Sequence, residues 1–235
     1  MYACQTLLVL GLLTAFAAGT DADDKDTQKP KRLTAADCEK LVEQLVNPEK
    51  PPFEPRGEGY VLRLPRGMAE HEKTFKKIGA AYNTLSENIE VALPVLMKHI
   101  NDKRYSFVGE QPSSGVYQLK PVGWACSEIV HAHVEAHLLK TFCHSREGHP
   151  LAYSFIRHCG GLDKWWGTRK GKLLAELQLE AMEWVMKQER PKLEVTFESE
   201  EAWKEALKGV AKMADEIRKT RKPIKVERRF YTYGK

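Results

Sequence analysis

The chain has 235 residues, of which 42% are hydrophobic and 29% are charged, so it is long enough to bury a core. Its net charge is only +5, and its basic residues alternate with acidic ones instead of forming one stripe. These properties argue against a disordered chain and against a nucleic-acid-binding protein.

The first residues have the properties of a signal peptide. Leu7 to Ala18 is an uncharged apolar run, too short to cross a bilayer but typical of a signal-peptide core. Small residues at Ala17 and Gly19 allow cleavage before Thr20. No lysine or arginine precedes the run, and a buried N-terminal helix is the alternative. We expect residues 1–19 to be removed and the protein to be exported to the periplasm or the extracellular space, without a transmembrane anchor.

The rest of the chain divides into a leader, one domain and a tail. Residues 20–32 are polar and lack apolar periodicity, which predicts disorder. Residues 33–222 are predicted to form a single α-helical domain, followed by a C-terminal tail over 223–235. Two disulfides in three pairings are open to the remaining cysteines, and a Cys143–Cys159 bridge is preferred because a short turn between helices would join them. These cysteines are Cys38, Cys126, Cys143 and Cys159.

The domain begins with signals for a helix, a linker and a short strand. Thr34 is an expected N-cap, and the apolar residues that follow recur at helical spacing as far as Leu45. Residues 47–59 contain four prolines and two glycines, which is typical of a linker. The stretch YVLRLP over 60–65 is predicted to contain a short strand.

A long helical stretch is predicted from about Ala69 to Asp102. Ser86 and Asn88 are capping types, so we expect a break there, with Pro94 in the first turn of a second helix. The stretch from Glu70 to Arg104, with its ALPVLMKHINDKRY segment, resembles a HEAT-type helical repeat, as in uncharacterised exported bacterial proteins. The resemblance implies an antiparallel helical hairpin and brings no catalytic residues. No second copy follows at a fixed period.

The second half of the chain is predicted to be helical after a loop. Residues 105–123 carry turn signals and are interpreted as a long loop. One helix is predicted over residues 124–144, another from Thr168, and a last one capped by Ser199. The predicted fold class is therefore all-α, with helical hairpins in a HEAT-like or irregular array and short extended connectors.

The segment CSEIVHAHVEAHLLKTFCH is the main candidate for a metal site. On a continuous helix His133 and His137 are one turn apart, the spacing with which two imidazoles bind one ion. The sequence HVEAH is not the metalloprotease motif, which has Glu directly after the first His. A zinc or similar transition-metal site would need a third ligand from elsewhere in the chain. The candidates are His144, His149, His158 and a carboxylate of the following helix.

The opposite face of that helix carries Glu128, His131 and Glu135. Glu128 and His131 have the Glu-x-x-His spacing of di-iron carboxylate bundles, but no second copy of the motif follows. The favoured interpretation is local, because opposite charges at helix-neighbour spacings attract each other.

No complete catalytic set emerges from the sequence, so there is no clear indication of an enzyme. The first hypothesis is an exported binding or scaffolding protein with a protein partner and no cofactor. The alternative is a metal-binding or metal-dependent protein that uses the His133/His137 pair. A haem-binding protein is a third possibility, although the Cys-x-x-Cys-His motif is absent.

Overall fold

A computed structural model describes residues 33–49, 51–52, 60–61, 71–111, 116–135, 155–188, 200–227 and 230. Within these ranges the chain is predominantly helical, as predicted. The helices are α1 (Ala35–Gln44), α2 (Glu72–Glu87), α3 (Ile89–His99), α4 (Val122–Val134), α5 (Phe155–His158), α6 (Leu162–Gly167), α7 (Leu174–Met186) and α8 (Glu200–Thr220). None of these helices is long and apolar enough to cross a membrane.

A three-stranded antiparallel sheet accompanies the helices. Its strands are β1 (Tyr60–Val61), β2 (Tyr105–Gln111) and β3 (Val116–Pro121), in the order β1-β3-β2. The short strand at Tyr60 is confirmed, whereas the loop predicted over 105–123 is wrong because β2 and β3 form a hairpin there. Phe107 and Val108 are both buried, so both faces of β2 are covered. A strand that is buried on both faces does not show the alternation of apolar and polar residues that marks a half-exposed strand, so the sequence pattern did not predict it.

Helix α1 begins as predicted. The Thr34 hydroxyl accepts the Asp37 N–H at 3.2 Å, and the Asp37 carboxylate accepts the Thr34 N–H at 3.1 Å, which is a capping box. Cys38, Val42 and Leu45 form its buried side, as the helical period indicated.

Helices α2 and α3 meet at Asn88, which confirms the predicted break. The side-chain amide of Asn88 donates to the Thr84 carbonyl at 2.8 Å, so this carbonyl in the last turn of α2 has a hydrogen-bond partner. Pro94 lies inside α3 instead of in its first turn, so that part of the prediction is wrong. The Pro94 ring is exposed to solvent. Because proline has no N–H, the helix lacks one backbone hydrogen bond there.

Helix α4 packs against α2, α3, α7 and the strands β2 and β3. Its first backbone N–H groups are satisfied by the preceding segment, since Val122 donates to the Arg104 carbonyl and Gly123 to the Asp102 carbonyl, each at 2.9 Å. A Cβ on Gly123 would overlap backbone atoms of this segment, including the Asp102 nitrogen at 2.9 Å. The helix ends at Val134, so the single helix predicted over 124–144 is interrupted at Glu135, and the rest of the predicted range lies outside the described residues.

The predicted helix start at Thr168 is also wrong. Gly171 has φ +86° and interrupts the chain between α6 and α7, so α7 begins only at Leu174. Leu174, Leu177, Ala181 and Val185 form its buried stripe, while Leu173, directly before the helix, is 66% exposed.

The C-terminal helix α8 carries a long buried stripe at helical spacing. Trp203, Val210, Ala214 and Ile217 are buried along it, whereas Leu207 is only partly buried. The predicted cap Ser199 lies outside the described residues. The described residues from Leu33 onwards, including those directly after α8, belong to one compact unit.

The described cysteines are all free thiols. Cys159 is one of them, and Cys143, its preferred partner in the predicted bridge, lies outside the described residues. Cys38 and Cys126 are also free, and both are buried among apolar side chains. Burial raises the pKa of the Cys126 thiol, so this sulfur is a poor nucleophile.

Candidate functional site

The histidines of the predicted metal site are only partly described. The His133 side chain is buried, and its Nε2 lies 2.8 Å from the Ser86 hydroxyl oxygen. Burial lowers the pKa of His133 to about 4, so the imidazole is neutral at ordinary pH. His137 and His144 lie outside the described residues, and their pairing with His133 on one ion stays a prediction.

The described part of the chain brings no three ligand-type side chains together around one point. His158 is exposed and its ring lies 5.3 Å from that of Trp184, whereas His149 lies outside the described residues. A third ligand for His133 is therefore not identified, and metal analysis of natively purified protein is the direct test of the prediction.

The local interaction predicted for His131 is confirmed. Its Nδ1 lies 2.7 Å from a carboxylate oxygen of Glu135. Glu135 is fully buried, and its other oxygen accepts the Ile156 N–H at 2.8 Å. The carboxylate thereby joins the end of α4 to α5, which is a structural use of a buried charge.

A buried glutamine completes the polar contacts at this end of α4. The Gln178 side-chain nitrogen donates to the His133 carbonyl at 2.8 Å and to the Ile224 carbonyl at 3.0 Å. Its side-chain oxygen accepts the Ile224 N–H at 2.7 Å. Polar groups at the C-terminal end of α4 are thus partnered within the protein, which favours a structural role.

The other end of α4 adjoins an open cavity at the base of the β-hairpin. It has a volume of about 280 Å³, and we call it the hairpin-base cavity. Two lysines, one aromatic ring and two apolar side chains contribute to its wall. These residues are Lys103, Tyr105, Leu119, Lys120 and Pro121.

Lys120 has only neutral partners among the described residues. Its ammonium donates to the Gln118 side-chain oxygen at 2.7 Å and lies 4.7 Å from the centre of the Trp124 ring. Burial lowers its pKa, and no described carboxylate opposes this effect. The stem of Lys120 crosses β2 above Gly109, where an added Cβ would lie 2.7 Å from its Cε. A glycine on β2 thus makes room for the lysine on β3.

Trp124 adds an accessible aromatic surface beside this ammonium. It is 37% exposed, which is unusual for a large aromatic side chain in this protein. The Phe107 ring lies 5.7 Å away and meets it edge to face at 71°. Packing against Phe107 holds the indole in place, so its outer face is a preformed contact surface.

Tyr105 and Asn47 leave buried polar atoms without hydrogen-bond partners. They are the Tyr105 hydroxyl and the Asn47 side-chain nitrogen. Asn47 is attached to the same strand, because its backbone N–H donates to the Tyr105 carbonyl at 2.9 Å. Burial raises the pKa of Tyr105, and the nearby Glu49 charge adds to the effect. Buried donors without partners are rare in folded proteins, and the indole nitrogen of Trp165 is a further described example outside this region.

Glu49 is engaged on both of its oxygens. One lies 2.6 Å from Nδ1 of His71, and the other accepts a hydrogen bond from the Thr74 hydroxyl. The His71 ring stacks on Phe75 with 5.7 Å between ring centres. Glu49 therefore has partners of its own and is not the counter-ion that Lys120 lacks.

Little in the sequence indicates the hairpin-base cavity. Its residues lie in a stretch interpreted as a loop, and neither lysine belongs to a motif. The usable signal is the QLKPVGW stretch, in which a lysine and a tryptophan flank a strand-ending proline. The tryptophan pair Trp165 and Trp166 is mainly structural, since Trp165 is fully buried, as expected for a core anchor at a helix junction.

Comparisons with protein-family models, with curated proteins and with solved structures gave no match to this chain. Functional arguments therefore rest on the geometry of the described residues.

Proposed function

We propose that this is an exported, predominantly helical binding protein that holds a partner protein through an acidic side chain at the hairpin-base cavity. One observation carries the proposal. The half-buried ammonium of Lys120 has only neutral described partners, and it lies at an open cavity beside an exposed tryptophan.

The charge of Lys120 selects the kind of group that would bind. A partly desolvated ammonium gains more from an anion than a fully hydrated one does, because the local dielectric constant is lower. Lys103 lies on the same cavity and adds a second positive charge. A carboxylate is therefore the complementary group, and a charge-assisted hydrogen bond to it is stronger than a neutral one.

The apolar wall selects what the carboxylate is attached to. Leu119 and Pro121 line the cavity, and the exposed face of Trp124 lies beside it. Aromatic side chains with one packed face and one exposed face are frequent anchors of protein interfaces. A glutamate or aspartate next to an aromatic or aliphatic residue of a partner protein satisfies both features.

Two further parts of the proposal come from the sequence. Export rests on the apolar run of residues 7–18, and a scaffolding role rests on the likeness of residues 70–104 to a HEAT-type repeat. Helices α2 and α3, which meet at Asn88, lie within the range of this likeness.

Acidic peptides and their amides provide a direct test. The probes are acetylated tripeptides Phe-Glu-Leu and Phe-Gln-Leu, added to the mature chain that begins at Thr20. We expect the acid to bind more tightly by roughly tenfold, the factor for one charge-assisted hydrogen bond, and to shift the Trp124 indole NMR signal. Lys120→Gln should abolish the difference. Lys212→Gln is the matched control, because Lys212 is exposed on α8 and does not line the cavity.

Two results would contradict the proposal. One is equal binding of the acid and the amide by the unmodified protein. The other is a preference for the acid that survives Lys120→Gln, since the anion would then be bound elsewhere.

A further inference from the structure

The segment after α8 is held against the domain in the manner of a bound peptide. We call Arg221–Glu227 together with Phe230 the tail. Both main-chain polar groups of Ile224 are paired with the Gln178 side chain, the N–H at 2.7 Å and the carbonyl at 3.0 Å. A side-chain amide that pairs with both groups of one residue imitates the pairing of a neighbouring strand.

A second anchor lies at Phe230. Its N–H donates to the Asn83 side-chain oxygen at 2.7 Å. Its ring lies 4.7 Å from that of Phe107 and 5.4 Å from that of Tyr82. Gly79 forms the floor of this pocket, where an added Cβ would lie 2.9 Å from the Phe230 ring.

The groove that receives the tail is built by residues of other elements. Gln178 is on α7, Phe107 is on β2, and the other groove residues, Gly79, Tyr82 and Asn83, are on α2. The tail joins this body only through the end of α8. A tail from a second copy of the chain would therefore meet the same groove contacts as the copy's own tail.

The connection between α8 and the tail carries backbone strain. Arg221 has φ +58°, the only positive φ at a non-glycine residue in the described part of the chain. Its N–H donates to the Ile217 carbonyl at 2.7 Å, which closes the end of α8. Left-handed backbone is unfavourable for residues with a Cβ, and Pro223 stiffens the segment directly after it. In the closed form the tail binds the groove of its own chain and Arg221 keeps its positive φ. If the chain extends at Arg221 instead, this backbone strain is released.

We propose that the tail exchanges between two copies of this chain, so that each groove binds the tail of the other copy. The groove contacts are the same in the closed and the exchanged forms, and the balance depends on the Arg221 strain and on protein concentration. This interface requires neither Lys120 nor Lys103 of the proposed acidic-partner site, and the two sites share only the Phe107 ring among the residues named here.

Two substitutions at the connection should move the balance in opposite directions. Proline fixes φ near −65° and forbids the closed geometry, whereas glycine adopts positive φ without a penalty. We expect Arg221→Pro to dimerise at a concentration lower by roughly tenfold or more than Arg221→Gly. Light scattering after size-exclusion chromatography, over a concentration series of the full mature chain, measures this difference.

A mixing experiment tests whether the tail makes the contact. One chain carries Arg221→Pro with Phe230→Ala, so its groove is intact and its tail is defective. The other carries Arg221→Pro with Gly79→Val, so its tail is intact and its groove is blocked. Neither chain should dimerise alone, and the mixture should form a heterodimer. Asn83→Ala replaces Gly79→Val if circular dichroism shows that the valine variant is unfolded.

The proposal is overturned if Arg221→Pro stays monomeric at every concentration. It is equally overturned if the Arg221→Pro dimer persists in the presence of Phe230→Ala, because the contact would then lie elsewhere. Neither result bears on the acidic-partner proposal, which is read from peptide binding and not from oligomeric state.

Discussion

The two ends of helix α4 differ in whether the polar side chains near them have partners within the protein. At the C-terminal end, His133, Glu135 and Gln178 are buried, and each has a partner within the protein. At the N-terminal end, Lys120 has only neutral described partners and the Tyr105 hydroxyl has none. Polar side chains at one end of the helix are hydrogen-bonded within the protein, whereas those named at the other end can still bind a partner.

This difference is a guide to where function resides. Internally satisfied polar groups specify a fold, whereas unsatisfied buried groups carry a cost that needs a compensating use. The histidine-rich segment has the stronger sequence signal, but its described residues are the ones with internal partners. The following predictions test this contrast between the two ends, beginning with the largest effect.

The first prediction concerns pH and the C-terminal end. His133 binds a proton in the unfolded chain below a pKa near 6.5, but in the folded protein its pKa is about 4. Stability should therefore be complete above pH 6.5 and fall as the pH decreases toward 4. The loss amounts to about 3 kcal/mol at full extent, since each pKa unit is worth about 1.4 kcal/mol. Urea unfolding at several pH values measures it.

The matched variants for this prediction are His133→Gln and His158→Gln. His158 is exposed, so its replacement should leave the pH dependence intact, whereas His133→Gln should remove the His133 share. An unchanged slope in His133→Gln would show that other groups cause the acid destabilisation.

The second prediction concerns the backbone contact that begins α4. Gly123→Ala should destabilise the protein by about 2–3 kcal/mol, because the new methyl group overlaps backbone atoms that cannot move independently. Chemical denaturation provides the measurement. Gly167→Ala is the control, since a Cβ there meets nothing within 4 Å, and it should be close to neutral. If Gly123→Ala leaves the free energy of unfolding unchanged, the backbone around Asp102 can move aside at little cost.

The third prediction compares one hydroxyl from each end. Ser86→Ala removes the partner of His133 Nε2 and should cost roughly 1–2 kcal/mol, because it leaves a buried polar atom unpaired. Tyr105→Phe removes a buried hydroxyl that has no partner, so it should be neutral or stabilise by up to about 1 kcal/mol. Thermal unfolding of both variants measures the contrast. Equal destabilisation by the two changes would remove the distinction between the ends.

The smallest expected effect is on the position of one ammonium. Gly109→Ala should push the Lys120 stem outward, because the alanine methyl group would lie only 2.7 Å from the Lys120 Cε. The pKa of Lys120, which burial lowers from 10.5, should then rise toward that value. The NMR shift of the Lys120 ε-carbon as a function of pH reports this, with exposed Lys212 as the internal reference. A Lys120 pKa that does not change would show that Gly109 does not set the burial of the ammonium.

Features that depend on local chemistry could be predicted from the sequence. The Thr34 capping box, the break at Asn88 and the buried stripe of α8 follow from residue type and spacing, and all three are present. Gly171 is also a local signal, and the predicted start of α7 at Thr168 is wrong because it places this glycine inside a helix.

The hairpin and its cavity could not be predicted in the same way. A strand covered on both faces has no alternating pattern, so β2 resembles a loop with apolar residues. The partners of Lys120 are local in sequence, since Gln118 lies on the same strand and Trp124 lies near the start of α4. The opposing Gly109 on β2, which makes room for the lysine stem, is brought there only by the folded hairpin. The end of α4 at Val134 likewise depends on the buried Glu135, whose contact with Ile156 spans a long sequence separation.

The two anchors of the tail differ in whether they bind main-chain groups or a side chain. Gln178 pairs with the main chain of residue 224, so its hydrogen bonds tolerate every amino acid there except proline. The pocket at Phe230 is bounded by rings and by a glycine floor, so it selects for shape. Substitutions along the tail should therefore be permissive at the first anchor and restrictive at the second. A comparison of variants at residues 224 and 230 would show this asymmetry as a difference in tolerated side-chain size.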